Sequence, residues 1–257
     1  MVSPHIRRAT RCNFALSPEV QLLAALRFYA VGSFLEVVGD GTGLSKASVS
    51  RSVAAVTSIL LHHARAHIQL PTTREEIRQA VVDPEGLITD IVARWPGGTH
   101  DSYVFVNSAV GQKAAREEFG WSFLLGDSGY PLRSYLVTPL TNLATPAEER
   151  FNEAHTDTRT HIKRMFGRWK SRFRCIHCSS GGLRLSPTKS CGVIVVTAML
   201  HNMAVRAGAD EPPPLDEDED SEDDDAPPLV PGPPNDARAA LHQAGVHRRQ
   251  ELIDLFF

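Results

Sequence analysis

Trp95-Pro-Gly-Gly-Thr-His-Asp101, followed by Leu124-Leu-Gly-Asp-Ser-Gly-Tyr-Pro131, is the wording that decides the fold of this chain. The apolar run at 87–95 reads as a β-strand. The Pro-Gly-Gly turn stops it and presents His100 and Asp101 at its end. The second piece repeats that logic. Phe123-Leu124-Leu125 is a short buried strand, and Gly126 lets the backbone turn sharply. Asp127 then sits at the strand's carboxyl end, where α/β sheets place their ligands. A carboxylate there, with more acids nearby, is how a protein holds Mg²⁺ or Mn²⁺ against a phosphodiester. Taken singly, Asp101 reads as a helix cap and Asp127 as the start of a turn, both common roles for aspartate.

Other stretches carry wording of similar specificity. They are Thr145-Pro-Ala-Glu-Glu-Arg-Phe-Asn152, Asn152-Glu-Ala-His155, Phe166-Gly167, Lys170-Ser-Arg-Phe-Arg-Cys175 and Leu200-His-Asn202. In this order the chain resembles the Harbinger transposase-derived nuclease family of DDE superfamily endonucleases. That family shows Trp-Pro-Gly-Ser-x-His-Asp-Ser, then Leu-Leu-Gly-Asp-Ser-Gly-Tyr-Pro-Leu, then Thr-Pro-Ala-Glu-x-Arg-(Tyr/Phe)-Asn. The resemblance covers about residues 20–208 and the last dozen residues. It implies metal-dependent hydrolysis of DNA phosphodiesters on a ribonuclease-H-like core, with Asp127 and Asp101 as catalytic and metal-ligating residues. In such a site three carboxylates from two strands and a helix hold two ions about 4 Å apart, and an activated water is the nucleophile. The cofactor implied is Mg²⁺ or Mn²⁺, and the partners implied are DNA and a Myb-like DNA-binding protein acting beside the nuclease.

Two departures bear on that chemistry. The family has a strand ending Ile-Asp-(Gly/Cys)-Thr-His and a second strand before its Val-x-Asp-x-x-Gly. Here Gln79-Ala80 runs directly into Val81-Val-Asp-Pro-Glu-Gly86, so the first strand and its catalytic Asp are missing. Asp40-Gly-Thr42 looks similar but lies in an earlier helical region. The second departure is on the long helix expected from Pro146 to about Phe173. The family pattern Ile-Glu-Arg-x-Phe-Gly reads Ile162-Lys-Arg-Met-Phe-Gly167. Lys163 follows Asp127 with 35 residues between and replaces the acid. A cation there repels a divalent metal instead of neutralising it. Glu153 and Asp157 lie one to three turns earlier and read as surface acids. A transcript lacking an internal exon would explain the jump at 80–81, but not the separate exchange at 163.

The overall balance of charge conceals a basic body. Residues 210–225 hold 11 acidic and no basic residues, so the rest of the chain carries a formal +8 against the total of −3. A basic body with an acidic segment suits a nucleic-acid binder and equally a soluble domain with a solvated tail. Four unevenly spread cysteines suggest reduced thiols in a nuclear or cytosolic setting rather than a disulfide framework. Cys175 and Cys178 form a lone C-x-x-C with no second pair at zinc spacing. His63 and His67 stand at i, i+4 without a third ligand. No apolar run reads as long enough to span a bilayer, and no secretory signal is visible. The expected location is the nucleus.

The expected organisation has five parts. Residues 1–17 are poorly ordered. Residues 18–80 form an all-helical helix-turn-helix region. Here Pro18 opens a helix with Val20, Leu23, Ala24, Leu26 and Phe28 buried, and Ser45 caps a helix with Val49, Val53 and Val56 on one face. Lys46, Ser48 and Arg51 fall opposite, where a recognition helix meets DNA; an ordinary helical hairpin with a cationic surface has the same pattern. Residues 81–207 are a truncated nuclease-like domain. It begins with a hairpin of 81–83 and 87–95, keeps 131–139 irregular, and ends in a helix at 187–206 with Cys191, Val195, Met199 and Met203 as core. Its basic stretch Arg164, Arg168, Lys170 and Arg172, with Trp169 and Phe173 between, would touch the DNA backbone. Residues 208–236 form an acidic, proline-rich linker, and 237–257 a C-terminal helix. The fold class expected is α/β: a ribonuclease-H-like core lacking its first strand, behind a helical region.

Overall fold

Ser17 and Pro18 start the first helix together. The Ser17 hydroxyl accepts from the Val20 N–H, and Pro18 occupies a first-turn position that needs no donor. This computed structural model describes residues 15–32, 35–69, 86–93, 101–120, 122–177, 183–213 and 235–257. Their helices are α1 (Pro18–Val31), α2 (Leu35–Asp40), α3 (Lys46–His67), α4 (Asp101–Val106), α5 (Ala109–Ala115), α6 (Pro146–Arg172), α7 (Pro187–Arg206) and α8 (Asn235–Phe256). Two short strands, β1 (Leu124–Leu125) and β2 (Leu136–Val137), pair in parallel with Leu124 opposite Leu136. The described chain is therefore mostly helical with one small parallel sheet, compatible with the α/β class expected. It divides into two compact units, one of Met1–Gln69, Glu85–Arg94 and Met165–Glu219, the other of Leu70–Pro84, Trp95–Arg164 and Asp220–Phe257.

In the first unit α1 buries Gln21, Ala24, Ala25, Phe28 and Tyr29. These positions recur at helical spacing, whereas the expected stripe mixed faces: Val20, Leu23 and Leu26 are exposed. The Tyr29 hydroxyl meets the Thr57 hydroxyl at 2.7 Å and so ties α1 to α3. Ser45 caps α3 as expected, its hydroxyl accepting from the Ser48 N–H, and Val49, Val53 and Val56 are buried. In α7 the core face is Val193, Val196 and Met199, not the expected Cys191, Val195 and Met203, since Met203 is exposed. Contrary to the sequence reading, α7 is long and apolar enough to cross a membrane, with a mean hydropathy of 1.2. Its buried residues instead pack in this unit's core, and two of them, His201 and Asn202, hydrogen-bond the chain around them.

The expected strand at 87–95 does not form over its described part. Residues 86–93 hold only an isolated bridge at Ile88. The Ile88 N–H donates to Asn202 Oδ1 at 2.8 Å, and Asn202 Nδ2 donates to the Ile88 C=O at 2.7 Å and to the His67 C=O at 2.9 Å. The side-chain amide thus satisfies both backbone groups of this buried residue. The remaining hairpin residues, 81–85 and 94–95, lie outside the described residues, as do 1–14, the helix expected at 74–80, Cys178 and 214–234.

In the second unit β2 occupies part of the stretch expected to be irregular. Val110, Ala114, Leu124 and Leu136 form one buried cluster. Val137, Phe151, Leu252 and Ile253 form another, which docks α8 and α6 onto β2. Arg249 on α8 donates to the Thr138 and Pro139 carbonyls beyond β2. The start of α6 is a capping box: the Glu148 carboxylate accepts from the Thr145 N–H while the Thr145 hydroxyl accepts from the Glu148 N–H. Asn152, one turn on, clasps Leu140 through both backbone groups at 2.9 Å, the same device that Asn202 uses.

Asn202→Ala leaves the Ile88 amide and carbonyl buried without partners. It is expected to lower the unfolding free energy by about 2–4 kcal/mol, read as a lower urea midpoint at unchanged slope.

Candidate active site

β1 delivers Asp127. The strand ends at Leu125, and Gly126 follows in extended register, its N–H donating to the Val137 C=O at 2.9 Å. Gly126 lies at a close approach of side chains, and the expected sharp turn does not fall on it. A Cβ there would stand 3.2 Å from both Leu136 Cδ1 and Tyr130 Cβ. The turn comes at Asp127 itself. Its Oδ1 accepts from the Gly129 N–H at 3.1 Å and its C=O from the Tyr130 N–H at 3.2 Å. The carboxylate is thus fixed by its own loop at the carboxyl edge of the parallel pair, as the sequence pattern anticipates.

The other carboxylate oxygen is taken by a cation. Arg159 Nη2 donates to Asp127 Oδ2 at 3.2 Å, and the two side chains are only 29% and 23% exposed. Arg159 belongs to α6, one turn before Lys163, which is exposed. One turn before Arg159 stands His155, buried at 4% exposure, with its Nε2 unpaired. Burial lowers the His155 pKa below 6.5; the backbone of Val137 and Gly126 partly offsets this. The same α6 face therefore presents His155, Arg159 and Lys163 at successive turns beside or near Asp127. Reading only for acids misses Arg159 and His155. Counting back by four from Lys163 along the helix finds both.

A divalent cation does not fit this donor set. It needs several negative oxygens free to face it. Asp127 offers one carboxylate, already held by a guanidinium and a backbone amide. Among the described residues no group of three or more His, Cys, Asp or Glu side chains could hold a metal. Asp101 begins α4, and its side chain lies outside the described residues. Glu153 and Asp157 are exposed, as expected of surface acids.

The residues expected to meet DNA are placed as follows. Lys46, at the start of α3, pairs with Glu36 on α2, both well exposed. The Ser48 hydroxyl accepts from the Ser45 hydroxyl and from Arg51 Nη2 at 3.4 Å. Arg51 and Arg164 are exposed, and Lys170 is half-buried. Arg168 pairs with Glu211 at 2.8 Å, and Arg172 Nη2 donates to the Asp210 C=O at 3.0 Å.

The match to known proteins lies over this same region. The family described as DDE superfamily endonuclease matches residues 78–202. The human protein named "Putative nuclease HARBI1" is 32% identical over 82% of this chain and 74% of its own length. The chain belongs to the Harbinger transposase-derived nuclease family. The HARBI1 protein of Xenopus laevis is 28% identical over the same shares, and "Protein ALP1-like" of Arabidopsis thaliana is 24% identical over 74% of this chain and 61% of its own. The human alignment runs to 257 positions while using 82% of a chain of 257 residues, so the matched stretch of the relative includes residues for which this Harbinger-family chain has none. No solved structure matches the chain significantly.

His155 gives this family member a pH dependence of known sign. Its folded pKa lies below 6.5, so below about 6.5 the unfolded chain takes up the proton first. The contribution is complete above that pH and is lost as pH falls towards the folded value. Stability measured by urea titration is expected to fall between pH 7.5 and 5.5, and His155→Gln is expected to flatten that fall.

Proposed function

We propose that this protein is a nucleic-acid-binding member of the Harbinger nuclease family in which metal-dependent phosphodiester hydrolysis is impaired. One observation carries the reading: Asp127, the one clearly retained acid of the expected triad, is ion-paired with Arg159 at 3.2 Å. Lys163 stands one turn further, in the position of the family's acid. The paired Arg159 cancels the charge of Asp127, and the exposed Lys163 one turn further adds a cation where hydrolysis requires net negative charge. That sign suits holding a DNA phosphodiester, not gathering ions to cleave it.

The finer reading follows from this. Residues 18–80 act as a helix-turn-helix region, with Lys46, Ser48 and Arg51 directed at DNA, and the exposed Glu36 pairing is weak enough to exchange for phosphate. Residues 81–207 are a ribonuclease-H-like domain shortened by its first strand, with the 208–236 linker and the 237–257 helix following. Arg164, Arg168, Lys170 and Arg172 supply backbone contacts. Binding to DNA places the protein in the nucleus. A Myb-like partner rests on the family resemblance alone.

Nicking of supercoiled plasmid in Mn²⁺ tests the reading. Wild type and Asp127→Ala are expected to give the same background rate, and nicking by wild type well above Asp127→Ala would refute it. Thermal unfolding gives a second readout. An ion at 100 times its Kd adds about 2.7 kcal/mol, a shift of several degrees, and none is expected with Mn²⁺.

A further inference from the structure

The end of α6 holds a second polar centre. Arg168 and Arg172 stand one turn apart, and His201 of α7, only 1% exposed, lies beside them. His201 Nε2 meets the Gly86 C=O at 3.1 Å, while its Nδ1 is buried without a partner. The Nε–H groups of Arg168 and Arg172 are buried and unpartnered as well. Gly86 has φ +83°, and a Cβ on it would stand 2.8 Å from Arg168 Nη2. The guanidinium thus packs closely on Gly86, whose positive φ favours glycine. Unpartnered buried donors are uncommon and need a reason. Two guanidinium groups with spare N–H donors at neighbouring helical turns match an oxyanion with several acceptor oxygens.

The outer edges of these arginines already hold oxygens, all from one short segment of this chain. Glu211 Oε1 lies 2.8 Å from Arg168 Nη1, the Asp210 C=O accepts from Arg172 Nη2 at 3.0 Å, and the Pro213 C=O accepts from the Ser171 hydroxyl. Asp210 and Glu211 are the first two acids of the run of 11.

We infer that Arg168 and Arg172 form a cradle for a nucleic-acid phosphate, and that Glu211 is its resident competitor in cis. This rests on the nucleic-acid reading above. A phosphate supplies more acceptor oxygens than the Glu211 carboxylate, enough to engage the outer Nη groups of both arginines at once. The Glu211 side chain is 71% exposed, so its ion pair is screened and readily exchanged. A phosphodiester chain outcompetes it at low salt. Occupancy by Glu211 lowers affinity without blocking the surface.

The test is fluorescence-anisotropy titration of the full chain with a 20-base-pair duplex across a salt series. Glu211→Gln is expected to tighten binding about three- to tenfold and to steepen the slope of log K against log salt by about 0.9, one phosphate contact. Asp254→Asn, an equal change in net charge on α8, is expected to leave the slope unchanged. Arg168→Gln in the Glu211→Gln background is expected to abolish the gain. Arg168→Lys keeps the charge but lacks the second donor edge, and serves the same purpose if Arg168→Gln fails to fold. Equal tightening by Glu211→Gln and Asp254→Asn would overturn the competitor. A gain that survives both Arg168 variants would overturn the cradle while leaving DNA binding intact. Absence of duplex binding by every variant at low salt would overturn the nucleic-acid reading and this inference with it.

Discussion

An asparagine side chain carries the donor and acceptor of a peptide group, and two asparagines acting in that way hold this fold. Asn202 pairs both backbone groups of Ile88, and Asn152 pairs both of Leu140. An extended segment without a neighbouring strand must find partners for its amides or remain in water. In the first unit helix α7 supplies that partner from its side chains, with Asn202 fully buried. At Ile88 the side-chain amide of Asn202 fixes the path of the segment by satisfying both backbone groups.

Charge follows the same rule of compulsory pairing. A half-buried carboxylate at the end of β1 needs a counter-charge from some source. In a metal-dependent site the ions provide it; in this chain Arg159 does. Arg159 lies one turn before Lys163 on α6, and a guanidinium paired with a carboxylate supplies that counter-charge from within the chain. His155 fits the same environment, since a neutral imidazole adds no further positive charge beside the guanidinium.

Much of this was legible in the sequence wherever local rules act alone. The Ser17 and Ser45 caps, the Pro146 start, and the extents of α3, α6, α7 and α8 follow from capping residues and helical spacing. The position of Asp127 at a strand end was legible for the same reason. Which face of α1 is buried was not, because Gln21 is inside and Leu23 outside. That choice is set by the partners α1 meets, and Gln21 is admitted because its amide donates to the Leu16 C=O. β2 was missed because its two residues sit in a stretch rich in turn formers, and its pairing with β1 is a long-range choice. Several motifs that carry the family resemblance proved structural on inspection: the Thr145–Glu148 capping box, the Asn152 clasp and the His201–Asn202 pair. Motif matching alone does not separate such residues from chemical ones.

The two ion pairs along α6 also differ in kind, and burial decides the difference. Asp127 and Arg159 are each less than one-third exposed, and the Asp127 loop is fixed by its own hydrogen bonds. Screening by salt is weak there, and breaking the pair strands a charge in a poorly solvated corner. Glu211 is mostly in water, so its carboxylate stays solvated when the pair opens. The same chemistry, guanidinium on carboxylate, therefore serves as a fixed part of the architecture in one place and as an exchangeable contact in the other.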